Sequence, residues 1–66
     1  MKLQVNGGSY ETRPGISLAE LIEELRLGET RIAVAVNGAV QPRAGHRGVE
    51  LAENDIVEVI HAVAGG

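Results

Sequence analysis

The chain has 66 residues, with six Lys and Arg against nine Asp and Glu and a net charge of −3. A chain this short makes one domain and buries only about 60% of its unfolded surface, so its core is small. The acidic balance and the single aromatic, Tyr10, argue against a nucleic-acid platform, which needs a basic footprint and rings for base stacking.

The 44% apolar content places the chain in the globular range. With no cysteine, disulfides, zinc–thiolate sites and a thiol nucleophile are excluded, and packing alone must hold the domain together. Met1 to Val5 is too short and too alternating for a signal peptide, and no stretch approaches the roughly 18 apolar residues of a membrane span. A cytoplasmic chain without a membrane partner is expected.

Leu3 and Val5 alternate with Lys2 and Gln4, the period of a strand. Asn6-Gly7 follows, a strong hairpin signal because both turn positions need positive φ. Ser9 to Thr12 returns as a second strand, closed by Pro14-Gly15. Ser17-Leu18-Ala19-Glu20 is a capping box. Leu18, Leu21, Ile22 and Leu25 then form one apolar helical stripe. The pattern predicts a helix of about three turns, ended by Gly28 in the left-handed conformation. Glu20, Glu23 and Glu24 form its wet face.

Ile32 to Val36 reads as a third strand, with Asn37-Gly38 as a second hairpin signal and Ala39 to Gln41 returning. Pro42 stops it, and Arg43 to Gly48 reads as irregular. Val49 and Leu51 hint at a short extended piece. Glu53-Asn54-Asp55 is a turn, and Ile56 to His61 is the last strand. One helix cannot cover both faces of a sheet, so the expected fold is an α+β roll: a mixed sheet with the helix packed across one face. The first and last strands are apolar enough to be central, and side by side they would run parallel.

Within the last strand Val57 and Val59 fall on the face expected to meet the helix, while Glu58 and Ile60 fall on the other. Ile60 is thus an apolar candidate for a partner surface beside the tail. The sequence closes on Ala64-Gly65-Gly66. Two residues without side chains can thread a narrow channel, and a glycine carboxylate is the least hindered acyl group a chain can present. Adenylation would make it a good electrophile with AMP as leaving group. The plainer reading is a frayed end.

These residues in this order resemble a known family. The opening strand with Asn6-Gly7, Ser17-Leu18-Ala19-Glu20-Leu21-Ile22, the run Val34 to Gly38 with Pro42-Arg43, and the final Ala64-Gly65-Gly66 resemble the ubiquitin-like β-grasp sulfur carriers. The chain is most similar to the ThiS family of thiamine biosynthesis, across its whole length. The resemblance implies a β-grasp domain over residues 1–61 and a flexible tail over 62–66. It implies that the chain is no enzyme. A separate adenylating enzyme of the ubiquitin-activating type would use ATP and magnesium to form an acyl-adenylate at Gly66, with Gly65 and Ala64 in its channel. Sulfur from a persulfide donor protein would replace AMP to give a thiocarboxylate, which thiazole synthase would consume. The chain itself would bind no cofactor. Two departures stand out: Glu53-Asn54-Asp55 where family members often have Asp-Gly-Asp, and Ala62-Val63 where many have an aromatic.

Other residues carry less. His46 and His61, without cysteine or a carboxylate cluster, make a poor metal site. Arg43 is a candidate contact for an acidic partner, against the plainer reading of a solvated arginine. No Ser-His-Asp set is visible, and Gly7-Gly8 lacks the surroundings of a phosphate loop. The alternatives are a related carrier, such as one for molybdopterin or another sulfur pathway, and a non-covalent binding module.

Overall fold

Asn6 and Gly7 take φ of 49° and 81° in the computed structural model, which describes residues 1–26 and 32–61, with backbone alone at 43, 44 and 61. The pair turns β1 (Lys2–Val5) into β2 (Gly8–Glu11). Asn37 and Gly38, at φ 51° and 86°, turn β3 (Ile32–Val36) into β4 (Ala39–Gln41) in the same way. A Cβ at Gly7 or Gly38 would meet nothing within 4 Å, so backbone conformation, not space, calls for glycine at both.

The last strand, β5 (Ile56–His61), completes a five-stranded sheet in the order β2-β1-β5-β3-β4. It runs parallel to β1 and antiparallel to β3. The first and last strands therefore lie side by side inside the sheet, as their apolar content predicts.

One helix, α1 (Leu18–Glu24), packs across one face. Ser17 caps it with the predicted reciprocal box. Leu18, Leu21 and Ile22 are buried, and Leu25 packs against the same core. Leu3, Val34, Val36, Val57 and Val59 come up from the sheet to meet them, with Ile16 and Leu51 closing the rim. Each of these side chains stabilises the fold by about 1.5–3 kcal/mol when fully buried. Residues 49–51 form the expected extended piece: Leu18 N–H bonds to Val49 O at 2.8 Å and Leu51 N–H to Ile16 O at 3.0 Å, bracketing an isolated bridge of Ser17 with Glu50.

Two expectations need correction. The helix has seven residues, nearer two turns than three. Arg26, at φ 61°, takes the left-handed step after α1, and its amide bonds to Glu23 O at 3.0 Å, tightening the last turn. The predicted cap, Gly28, lies outside the described residues. Second, Arg43–Gly48 is a 3₁₀-helix, not irregular chain. Gly45 N–H bonds to Pro42 O at 2.9 Å, and the buried His46 ring anchors the segment with Nε2 3.0 Å from Gln41 O. A 3₁₀ turn this short shows no apolar period for sequence reading to find.

Glu20, Glu23 and Glu24 are exposed, as the wet-face reading expects, and two of them also carry contacts that it did not include. Arg13 reaches Glu20 at 3.0 Å and Glu24 at 3.2 Å, and the Tyr10 and Thr12 hydroxyls donate to Glu24. This cluster ties the helix to β2 and the segment after it. Donation to Glu24 raises the Tyr10 pKa, with smaller contributions from burial and the Glu24 charge. The Glu20 carboxyl is held below its ordinary value, first by the Ser17 backbone amide.

Candidate functional site

The site grows out of β5. Alternation along a strand puts Val57 and Val59 on the helix side, where they are buried, and Ile56, Glu58 and Ile60 on the other. That other face has no helix over it among the described residues. Ile60 is 58% exposed, Ile56 45% and Val40 70%. The strand registers set them in rows: Val40, Ala35 and Glu58 across β4, β3 and β5; Ala33 beside Ile60; Gln4 beside Ile56. The result is an apolar surface with one carboxylate, Glu58, near its middle. No described residue forms an ion pair with Glu58. Next to Ile56, a shallow depression of about 340 Å³ opens between Lys2, Gln4, Ser9 and Asn54.

Ile60 is thus where the alternation predicts, on the open face. His61 ends β5, directly before the tail. The tail residues Ala64, Gly65 and Gly66 lie outside the described residues, as does the whole of 62–66. Arg43 begins the 3₁₀-helix, and its side chain lies outside what the structure describes. His46 is a buried structural histidine bonded to a backbone oxygen. Among the described residues no cluster of metal-ligating side chains occurs, and no helix is long and apolar enough to cross a membrane.

Sequence reading missed two contributors to the open face, Val40 and Ile56. Their own strands carry the signal: Val40 flanks the Asn37-Gly38 turn by two residues, and Ile56 shares the parity of Ile60. It also missed how two asparagine side chains hold β5. Asn37 Oδ1 accepts the Ile56 amide at 2.9 Å, and Asn6 Oδ1 accepts the Val59 amide at 2.8 Å.

The sequence matches the ThiS family over residues 3–66. The chain belongs to the ThiS family. Its fold is similar to the crystal structure of thiamine biosynthesis protein ThiS from Geobacter metallireducens, with a TM-score of 0.88 at 26% identity and 100% of both chains covered. A solution structure of a thiamine biosynthesis protein from the same organism gives 0.80 at 26% identity, covering 100% of this chain and 88% of the other. A thiazole synthase of Magnetococcus marinus is 35% identical over 66 residues, which are 100% of this chain and 20% of that protein. The chain spans about a fifth of the length of that relative.

For a ThiS-family chain, the mixed sheet with one helix is the ubiquitin-like β-grasp roll that the resemblance implied. The departure at Glu53-Asn54-Asp55 leaves the turn intact. Asn54 takes φ 69°, the conformation a glycine would adopt there.

Proposed function

We propose that this chain is a sulfur carrier for thiazole formation in thiamine biosynthesis, working through the carboxyl of Gly66. The observation that carries the reading is the ThiS-family match, which runs through residue 66 and so includes the Gly-Gly pair. In this reading a separate adenylating enzyme, with ATP and magnesium, converts the Gly66 carboxylate to an acyl-adenylate. The terminal sulfur of a persulfide donor displaces AMP to give an acyl disulfide, and a second thiol, supplied by a partner because this chain has no cysteine, cleaves it, releasing the thiocarboxylate and leaving a disulfide on the donor. The chain is a co-substrate, not a catalyst, and residues 62–66 carry its carboxyl into each partner's site.

Thiazole synthase is the proposed acceptor. The Magnetococcus relative supports this, because a segment similar to the whole chain belongs there to a thiazole synthase. The open face around Ile60 is the proposed docking surface for the chain's protein partners, with Arg43 as a further contact. Ile60 is six residues before Gly66, about 20 Å in extended chain. A partner that grips Ile60 therefore holds the carboxyl within reach of a recessed site. Glu58 would favour a partner that offers one cation within an apolar patch.

Intact mass tests the reading. A chain ending at Gly66 is incubated with the thiamine-pathway adenylating enzyme, ATP, magnesium and a sulfur source, beside a Gly66-deleted control. The expected result is a mass gain matching one oxygen replaced by sulfur, absent from the control. No adduct with an active enzyme would overturn it.

A further inference from the structure

Both hairpin turns that begin with asparagine end against β5, one at its first residue and one further along at Val57 and Val59. Asn37 meets its start: Asn37 N–H donates to Ile56 O at 2.7 Å, Asn37 Oδ1 accepts Ile56 N–H at 2.9 Å, and Asn37 Nδ2 donates to Asp55 Oδ1 at 3.0 Å. Asn6 meets β5 further along, toward the tail. The last pair of β1 with β5 is Val5 with Val57, and the chain then leaves into its turn. Asn6 N–H still reaches Val57 O at 2.9 Å, and Asn6 Oδ1 accepts Val59 N–H at 2.8 Å in a partly buried setting. The asparagine side chain stands in for the strand residue that β1 lacks.

The turn does not need that side chain. Both positions have positive φ, which glycine adopts without strain, and Gly-Gly is itself a favoured pair in such turns. What asparagine adds is the acceptor. On its β3 side β5 is paired as far as His61, through Ile32. On its β1 side Asn6 makes the last hold on β5 found among the described residues.

We infer that Asn6 is a positioning residue for carrier function: by fixing the Val59 amide it orders the end of β5 from which the tail departs. The inference rests on the carrier reading above. Its action is through Val59, not through contact with any reacting atom. Without the acceptor, the end of β5 frays on one side, and a partner must order it on docking. The bound complex is then unchanged, so the cost falls on KM and spares kcat. Asn37 has the same chemistry at the end of β5 away from the tail, which makes it the matched control.

The experiment compares Asn6→Gly, Asn37→Gly and Asn6→Asp in the full chain, as substrates of the thiamine-pathway adenylating enzyme. Amide hydrogen exchange at Val59 and Ile56 is read by NMR on the same proteins. Asn6→Gly should raise KM about five-fold, as the dock-ready fraction falls by that factor, with kcat unchanged. It should speed exchange at Val59 and not at Ile56. Asn37→Gly should do the reverse in exchange and leave KM alone. Asn6→Asp keeps an acceptor oxygen and a residue tolerant of positive φ, so it should restore KM. Equal KM effects from the two glycine variants, or none from Asn6→Gly, would overturn the inference while leaving the carrier reading standing. So would an Asn6→Gly chain that fails to fold, if Asn6→Asp, with its acceptor present, still shows the raised KM. A wild-type chain that is not adenylated at all would overturn the carrier reading and this inference with it.

Discussion

Ser17 and Glu20 cap α1 reciprocally: Ser17 N–H donates to Glu20 Oε1 at 2.9 Å, and Glu20 N–H donates to Ser17 Oγ at 3.1 Å. The pair satisfies amides that the first helical turn leaves open. A helix of seven residues is too short to persist without packing and caps. Ser17→Ala should therefore lower stability by about 1 kcal/mol. Urea denaturation checks this, and a midpoint identical to wild type would show the cap to be idle.

Glu20 also gives the fold a dependence on acid. Its folded pKa lies below its ordinary value because the charged form accepts the Ser17 amide and sits beside Arg13. A depressed carboxylate contributes stability that is present above the unfolded value, near 4.3, and is lost as pH falls through the folded one. Wild type should thus lose stability between roughly pH 5 and the acid limit. Glu20→Gln should flatten that fall. Tyr10 has the opposite sign. Its folded pKa is raised by donation to Glu24, so its contribution holds below about 10 and fades as pH rises through the folded value. Thermal melts across pH, with Tyr10→Phe as the alkaline control, separate the two limbs. An acid limb as steep in Glu20→Gln as in wild type would assign it to other carboxylates.

Val57 and Ile60 lie three residues apart on one strand and on opposite faces of the sheet. Val57 is wholly buried between Val5 and Val36 in the strand pairing, and Ile60 is 58% exposed. Val57→Asp buries an unpaired carboxylate and should abolish the folded state. Ile60→Asp should shift stability by no more than about 0.5 kcal/mol, as surface changes do, yet weaken partner binding. Circular dichroism and a titration against the adenylating enzyme read both effects. Unfolding by Ile60→Asp would overturn the proposal that Ile60 belongs to a docking surface.

What sequence reading recovers follows the range of the interactions. Asn6-Gly7, Asn37-Gly38 and Ser17 to Glu20 act within a few residues, so their composition announces them. The strand faces follow from a period of two, and so did the exposure of Ile60. The end of α1 at Glu24, followed by the left-handed Arg26 ahead of Gly28, depends on one backbone torsion that composition does not encode. Arg13 meets Glu24 across eleven positions, and Asn6 meets Val59 across fifty-three. Contacts at that separation exist only once the sheet order is fixed. The side-chain clamp on β5 was therefore invisible, although both its asparagines were read as turn residues.

Gly65 offers the sharpest test of tail chemistry. Under the carrier reading the residues before Gly66 pass through a channel in the adenylating enzyme. A valine at position 65 adds an isopropyl group one residue before the acyl carbon. Misplacing a reacting carbonyl by about 1 Å costs roughly 100-fold in rate, so Gly65→Val should slow pyrophosphate release by that order. The substitution lies beyond β5, so the circular dichroism melt of the domain should match wild type. Gly65→Ala, with one methyl, should fall between. A graded loss of adenylation at constant stability is the signature of steric exclusion from a channel. Equal rates for all three would mean that the tail is activated with room to spare, or not through this end of the chain.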